Sequence, residues 1–231
     1  MYAESYELPS QAADESRHLA AYAPLVKRAA RQLSSQAGGV FDREDMEQIG
    51  LMALLDCLRR YGGEPDERFA GFAMLRIRGA ILDELRRLDW RPRAVRQEAH
   101  RVRDGLRELR RKLRREPSEA EAMTLLGLDA DAYRDALLAE NAEAMASFDE
   151  LVAAGMELAA DGSPETRLER QSELARALTA LNEREQQVIQ LYYEFEMSLK
   201  EIAAVLELTE ARICQINKSA LKKMQACLMA A

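Results

Sequence analysis

The chain has 231 residues, 48% hydrophobic and 32% charged, with a formal net charge of −7. That is ample core material for a soluble fold, and the bias to Ala, Leu, Glu and Arg over Val, Ile and Thr favours helix. Cys57, Cys214 and Cys227 lack metal-like or disulfide-like spacing, the polar start MYAESYELPSQAADES carries no signal peptide, and no apolar run approaches the roughly 18 residues of a membrane span; a disulfide scaffold and a membrane protein are excluded, and a cytoplasmic location is expected.

Residues 1–15 read as a disordered tail. A helical pattern follows from Ser16 to Gln36, with Leu19, Tyr22, Leu25, Val26, Ala29, Ala30 and Leu33 on one side. Pro24 suits a fresh helix start, and Gly38-Gly39 ends the segment. Asp42, backed by Asp45, caps a second helix carrying Met46, Ile49, Leu51, Leu54, Leu55 and Leu58. Asp66 or a neighbour opens a third, with Phe69, Phe72, Leu75, Ile77, Ile81, Leu82 and Leu85. These three helices make a first domain over 16–90.

Pro92 opens a long basic helix reaching Arg115. Ser118 with Glu121 is a capping box for a short helix stopped by Gly127, and Asp129 or Asp131 starts the next. This second domain covers 91–145. Residues 146–164 read as an acidic linker, because no apolar period is sustained there. The last domain, 165–231, holds a helix to Leu181, one capped by Asn182 with Glu185, one capped by Ser198 with Glu201, and a final helix from Glu210. The fold class is therefore all-α: three small helical domains joined by linkers.

Charge is unevenly spread. Arg76 to Arg115 holds 15 Arg and Lys against 6 Asp and Glu, whereas Glu140 to Glu173 holds 9 acids against 2 Arg. A basic block beside an acidic one indicates partners that the net charge conceals, although solvated helix faces also produce such runs.

The stretch SLKEIAAVLELTEARICQIN, Ser198 to Asn217, has helix-turn-helix spacing. Leu199, Ile202, Ala203 and Leu206 face inward from the first helix; Ile213, Ile216 and Ala220 do so from the second. Glu210, Ala211, Arg212, Gln215, Ser219 and Lys222 then point outward, where a recognition helix meets base edges. Arg212 suits guanine and Gln215 adenine, while Lys218, Lys222 and Lys223 suit phosphates. Glu207 stands in the turn where glycine is usual, which costs about 1 kcal/mol if its φ is positive.

Arg68 to Arg93, RFAGFAMLRIRGAILDELRRLDWRPR, interleaves basic and aromatic residues. That combination suits a single strand, with guanidiniums on phosphates and rings on unstacked bases. Phe69 and Phe72 fit a core better than a base contact. Trp90 fits either role. Asp83 and Glu84 suit Arg87 as partners, with a base-edge role open to Asp83.

FAMLRIRGAILDELRRLDWRPR resembles the promoter-melting region of flagellar (sigma-28) sigma factors of the sigma-70 family. YAPLVKRAARQL, from Tyr22, resembles the first conserved helix of sigma domain 2, and EDMEQIGLMALLDCLRRY, from Glu44, its polymerase-docking helix. The helix-turn-helix is similar to sigma domain 4, so the resemblance runs over residues 17–228 in order. It implies that Glu44, Asp45, Met46, Glu47 and Gln48 meet the β′ clamp of core RNA polymerase, with the β flap as a further partner. It implies that Arg76, Arg78, Asp83, Arg86, Arg87 and Trp90 face the −10 element of promoter DNA, and that Arg93 and Arg96 touch duplex just upstream. Glu210, Ala211, Arg212, Cys214, Gln215 and Lys218 would lie at the −35 major groove. An anti-sigma factor of the FlgM type is the implied regulator. No cofactor, metal, membrane or small-molecule substrate is called for.

The competing readings are a stress or sporulation sigma factor of the same group, against which RIRGAILDELRRLDW argues, and a stand-alone dimeric repressor reading a palindrome. His18 and His100 stand far apart, without a nucleophile, metal cluster or phosphate-binding glycine loop, so no enzyme is expected. Packing of the domains on one another, with the acidic middle covering the basic block, is expected to hide the DNA faces of the free protein.

Overall fold

Helix starts fall where the sequence supplies caps. The computed structural model describes residues 8–34, 42–61, 65–66, 68–87, 93–160 and 164–230, and among the described residues there are ten α-helices and no strand. In chain order they are α1 (Leu8–Leu33), α2 (Arg43–Arg60), α3 (Phe69–Arg87), α4 (Arg93–Leu113), α5 (Glu119–Leu126), α6 (Ala130–Ala160), α7 (Pro164–Thr179), α8 (Glu183–Tyr193), α9 (Leu199–Val205) and α10 (Glu210–Met229). Capping boxes open α2 (Asp42, Asp45), α5 (Ser118, Glu121), α8 (Asn182, Glu185) and α9 (Ser198, Glu201). Each satisfies two otherwise orphaned amides and contributes about 1 kcal/mol. Gly127 ends α5 at φ 66°, the left-handed geometry that glycine takes without strain.

α1, α2 and α3 pack on one another. Leu25, Val26, Ala29, Ala30 and Leu33 meet Met46, Leu54, Phe69, Ala73, Ile77 and Ile81 in a common core. Tyr22 and Tyr61 set their rings edge-on to Phe69, at 4.7 and 5.0 Å. Phe69 and Phe72 are both buried, so they are core residues here. A second group, α4 to α6, closes over Val102, Leu106, Leu109, Ala122, Tyr133 and Leu137. In the third, α7, α8 and α9 surround α10.

Three expectations change. The tail assigned to residues 1–15 is helical from Leu8, and Glu15 pairs with Arg59 of α2 at 2.6 Å. Pro24 lies inside α1 rather than at a helix start; it removes one backbone donor, which the buried face from Leu25 to Leu33 outweighs. The segment assigned to an acidic linker, 146–164, is mostly helix, because α6 runs unbroken from Ala130 to Ala160. Met145, Ala146, Phe148, Asp149 and Ala153 are buried on successive turns of α6. The period exists, but a buried aspartate occupies one of its positions. α6 thereby packs on both α3 and α10, joining the N-terminal and C-terminal groups.

Candidate nucleic-acid interface

α9 and α10 form the expected helix-turn-helix. Ser198 caps α9, Leu206 and Leu208 flank the turn, and Thr209 caps α10 through the Arg212 amide at 3.2 Å. Glu207 adopts φ 54°, the strained turn geometry that its place predicted. Leu199, Ile202, Ile213 and Ala220 are fully buried between the helices and their neighbours.

The outward face of α10 is covered by α6 and the α4–α5 turn. Gln215 donates to the Tyr133 hydroxyl at 2.8 Å and to the Pro117 carbonyl at 3.2 Å. Asn217 donates to the Asn141 side-chain carbonyl at 2.9 Å. Lys218 pairs with Glu140, which also takes a two-pronged bond from Arg110 of α4 at 2.7 and 3.0 Å. Burial alone would raise the Glu140 carboxyl, but the bonds from Arg110 and Lys218 outweigh it and hold its pKa below the ordinary value. Burial lowers the pKa of the Lys218 ammonium, with Glu140 opposing. Ala211, Cys214, Gln215 and Lys218, assigned to the major groove, are thus all buried in this arrangement. Arg212 remains exposed and donates to Gln215 at 2.9 Å; Glu210 is half-buried. A cleft of about 320 Å³ separates α10 from the α4–α5 turn, lined by Arg115, Ser118, Tyr133, Thr209, Arg212 and Gln215.

The arginine helix α3 divides into two faces. Arg78 points inward and is 2% exposed. Its guanidinium makes a two-pronged bond to Asp149 of α6, at 2.9 and 2.7 Å. It also stacks over Tyr193 and Tyr192 of α8, at 4.6 and 5.4 Å from the ring centres. The Tyr193 hydroxyl donates to the same Asp149 carboxylate at 3.0 Å. Burial works against the guanidinium charge, but the Asp149 carboxylate more than restores it; burial also pushes the Asp149 carboxyl up, against the pull of Arg78. The assignment of Arg78 to promoter contact therefore does not hold in this arrangement, because its charge is consumed by a carboxylate from another helix. Arg87 pairs with Glu84 at 2.7 Å, Asp83 is exposed, and Arg76 lies over the Phe72 ring at 5.6 Å. Trp90 lies outside the described residues, as do the side chains of Arg86, Arg93 and Arg96.

On α2, Glu44, Asp45 and Gln48 are exposed, and Glu47 pairs with Arg43 at 2.9 Å. Met46 is corrected: it is 2% exposed and belongs to the core, since it falls on the inward side of the helix with Gly50, Leu54 and Cys57. Met52, 72% exposed, stands one turn beyond Gln48 on the outer side and adds an exposed apolar side chain that the motif alone did not single out. α1 reaches the last group directly. Gln32, fully buried, donates to the carbonyls of Tyr192 at 2.7 Å and Met197 at 3.3 Å, so it helps cap the end of α8 from another domain. Arg28 pairs with Glu196 at 3.0 Å beside it.

An arginine-lined helix packed in one small helical group, followed by a C-terminal helix-turn-helix, is the arrangement of a promoter-specificity subunit. The models of sigma-70 region 2 and sigma-70 region 4 match residues 19–91 and 177–226, and the chain belongs to the sigma-70 family of RNA polymerase sigma factors. It is 42% identical over 225 residues to the RNA polymerase sigma factor for flagellar operon of Vibrio parahaemolyticus, covering 96% of this chain and 92% of that one. It is 36% identical over 217 residues to the sigma factor FliA of Escherichia coli, covering 90% and 91%. A solved flagellar sigma/anti-sigma complex, sigma-28 with FlgM, superposes with a TM-score of 0.69 at 27% identity over 96% of this chain and 98% of that one. Within the family the chain is of the flagellar class.

Proposed function

We propose that this flagellar sigma factor works as a non-catalytic cytoplasmic subunit whose free form is closed. Core RNA polymerase opens it and so makes its promoter contacts available. Three units divide the work: residues 16–90 for core binding and the −10 element, 91–145 for duplex upstream, and 165–231 for the −35 element. Glu44, Asp45 and Gln48 would dock on the β′ clamp, and the last unit on the β flap. Arg76, Arg86, Arg87 and Trp90 would grip the parted strand, with Arg78 joining them once Asp149 releases it. Arg212, Gln215 and Lys218 would read the −35 groove. The resemblance and the solved sigma-28/FlgM complex support an anti-sigma partner of the FlgM type, which would stabilise the closed form.

One observation carries the closed-state reading. Gln215 and Lys218 on the recognition helix and Arg78 on the melting helix are all engaged by α6 or its neighbours. The test is promoter binding and initiation on a supercoiled flagellar promoter, with and without core enzyme. Specific initiation with core, and promoter affinity at least 100-fold weaker without it, is expected; equal affinity with and without core refutes the closed-state reading.

A further inference from the structure

We infer that α6 couples the two DNA-binding faces, so that release of the −35 helix and release of the −10 helix favour each other. This inference rests on the closed-state reading above. α6 is one continuous helix that engages α10 through Tyr133, Glu140 and Asn141 and engages α3 through Asp149. From Glu140 to Asp149 the helix spans about 13 Å at 1.5 Å per residue, a rigid strut rather than a tether. The Asp149 end is not private to α3 either. Arg78 from α3, Asp149 from α6 and Tyr193 from α8 meet at one buried point, so each holds the other two in place. If the C-terminal group leaves α6, Asp149 loses the Tyr193 hydroxyl and Arg78 loses its ring. If α6 leaves α3, Asp149 loses the Arg78 guanidinium and Tyr193 loses the cation stacked on its ring. Gln32 adds a direct tie from α1 to the end of α8.

The alternative is two independent covers, in which loosening α10 has no consequence at α3. Reciprocity of linked equilibria separates the two cases, because a coupling acts equally in both directions. Two probes serve: a −35 duplex, and a single-stranded oligonucleotide of the non-template −10 sequence, each titrated against full-length protein without core. Glu140→Gln removes the carboxylate from Lys218 and Arg110, neither of which touches α3. Tyr133→Phe removes only the hydroxyl that accepts from Gln215, and serves if the first variant folds poorly by circular dichroism. Losing a charge-assisted bond shifts an equilibrium by about tenfold or more. Each variant is expected to raise affinity for the −35 duplex, and for the −10 strand as well. In the wild type, saturating −10 strand is expected to raise −35 affinity by the same factor as the reverse. A rise in duplex affinity alone, or no rise in either, overturns the coupling. The closed-state reading fails separately, if wild-type protein without core binds both probes as tightly as holoenzyme does.

Discussion

Replacing Arg78 with methionine is the sharpest perturbation of the closed form. The substitution leaves Asp149, 1% exposed, buried with only the Tyr193 hydroxyl as a partner. Removing one member of a buried ion pair costs about 3–5 kcal/mol, mostly from the stranded charge. Here the protein has an escape that a domain interior lacks: separating α6 from α3 hydrates the carboxylate without unfolding either helix. The cost therefore falls on the closed arrangement and raises the open-to-closed ratio by about a hundredfold to a few thousandfold, at 1.4 kcal/mol per factor of ten. Arg78→Met with Asp149→Leu replaces the pair by apolar side chains and should recover closure, since such exchanges are often neutral or stabilising. Small-angle scattering of the free protein measures the outcome, with the radius of gyration larger for the single variant and restored in the double. Added salt should mimic neither effect, because a pair this buried is poorly screened. A single variant as small as wild type, or a double variant as expanded as the single, refutes the assignment of the pair as the fastening between α3 and α6.

Glycine substitutions test the first helical group. A Cβ at Gly50 would meet Val26 Cγ1 at 2.7 Å and Ile77 Cγ2 at 3.2 Å, whereas one at Gly71 meets nothing within 4 Å. Gly50→Ala should lower the melting temperature, with overpacking of about 1–3 kcal/mol outweighing the helix-propensity gain, and Gly71→Ala should raise it through a gain of about 0.5–1 kcal/mol; calorimetry distinguishes them by sign. Acid should open the α6–α10 seam. The Glu140 carboxyl is held below its ordinary pKa, so its contribution is complete above the unfolded value and disappears as pH falls through that value towards the folded one. Energy transfer between labels on α6 and α10 should fall below about pH 4.5, and Glu140→Gln should remove that step.

How much of this was legible in the sequence differs by element. Helix starts were readable at Asp42, Ser118, Asn182 and Ser198, because a capping box is local chemistry within four residues. The helix-turn-helix was readable for the same reason, including the strained Glu207. α6 was misread past residue 145, because a period that includes Asp149 does not look apolar until the partner of that aspartate is known. The partner lies 71 residues away in Arg78, and that of Glu140 lies 78 residues away in Lys218. No periodicity links positions so distant. The DNA-facing assignment of Gln215 and Lys218 follows from the helix-turn-helix alone, and what covers them could come only from the assembled domains.

The covered and uncovered faces together give an order of assembly. Asp149 does for Arg78, and Glu140 for Lys218, what a phosphate oxygen would do on DNA: each is an anion accepting charge-assisted hydrogen bonds. DNA alone must therefore displace ligands of its own kind, and its apparent affinity is reduced by the fraction of protein that is open. A closed form favoured by about 3 kcal/mol in total would leave that fraction below about one in a hundred. The outer side of α2 carries no such cover, since Glu44, Asp45, Gln48 and Met52 are exposed in the closed form. Under the docking assignment proposed above, core polymerase docks on a protein that is still closed to DNA. Contacts made only with the open form must then supply the energy that parts α6 from α3 and α10. Under the proposed assignments, promoter recognition follows polymerase binding because one face is presented and the other two are occupied.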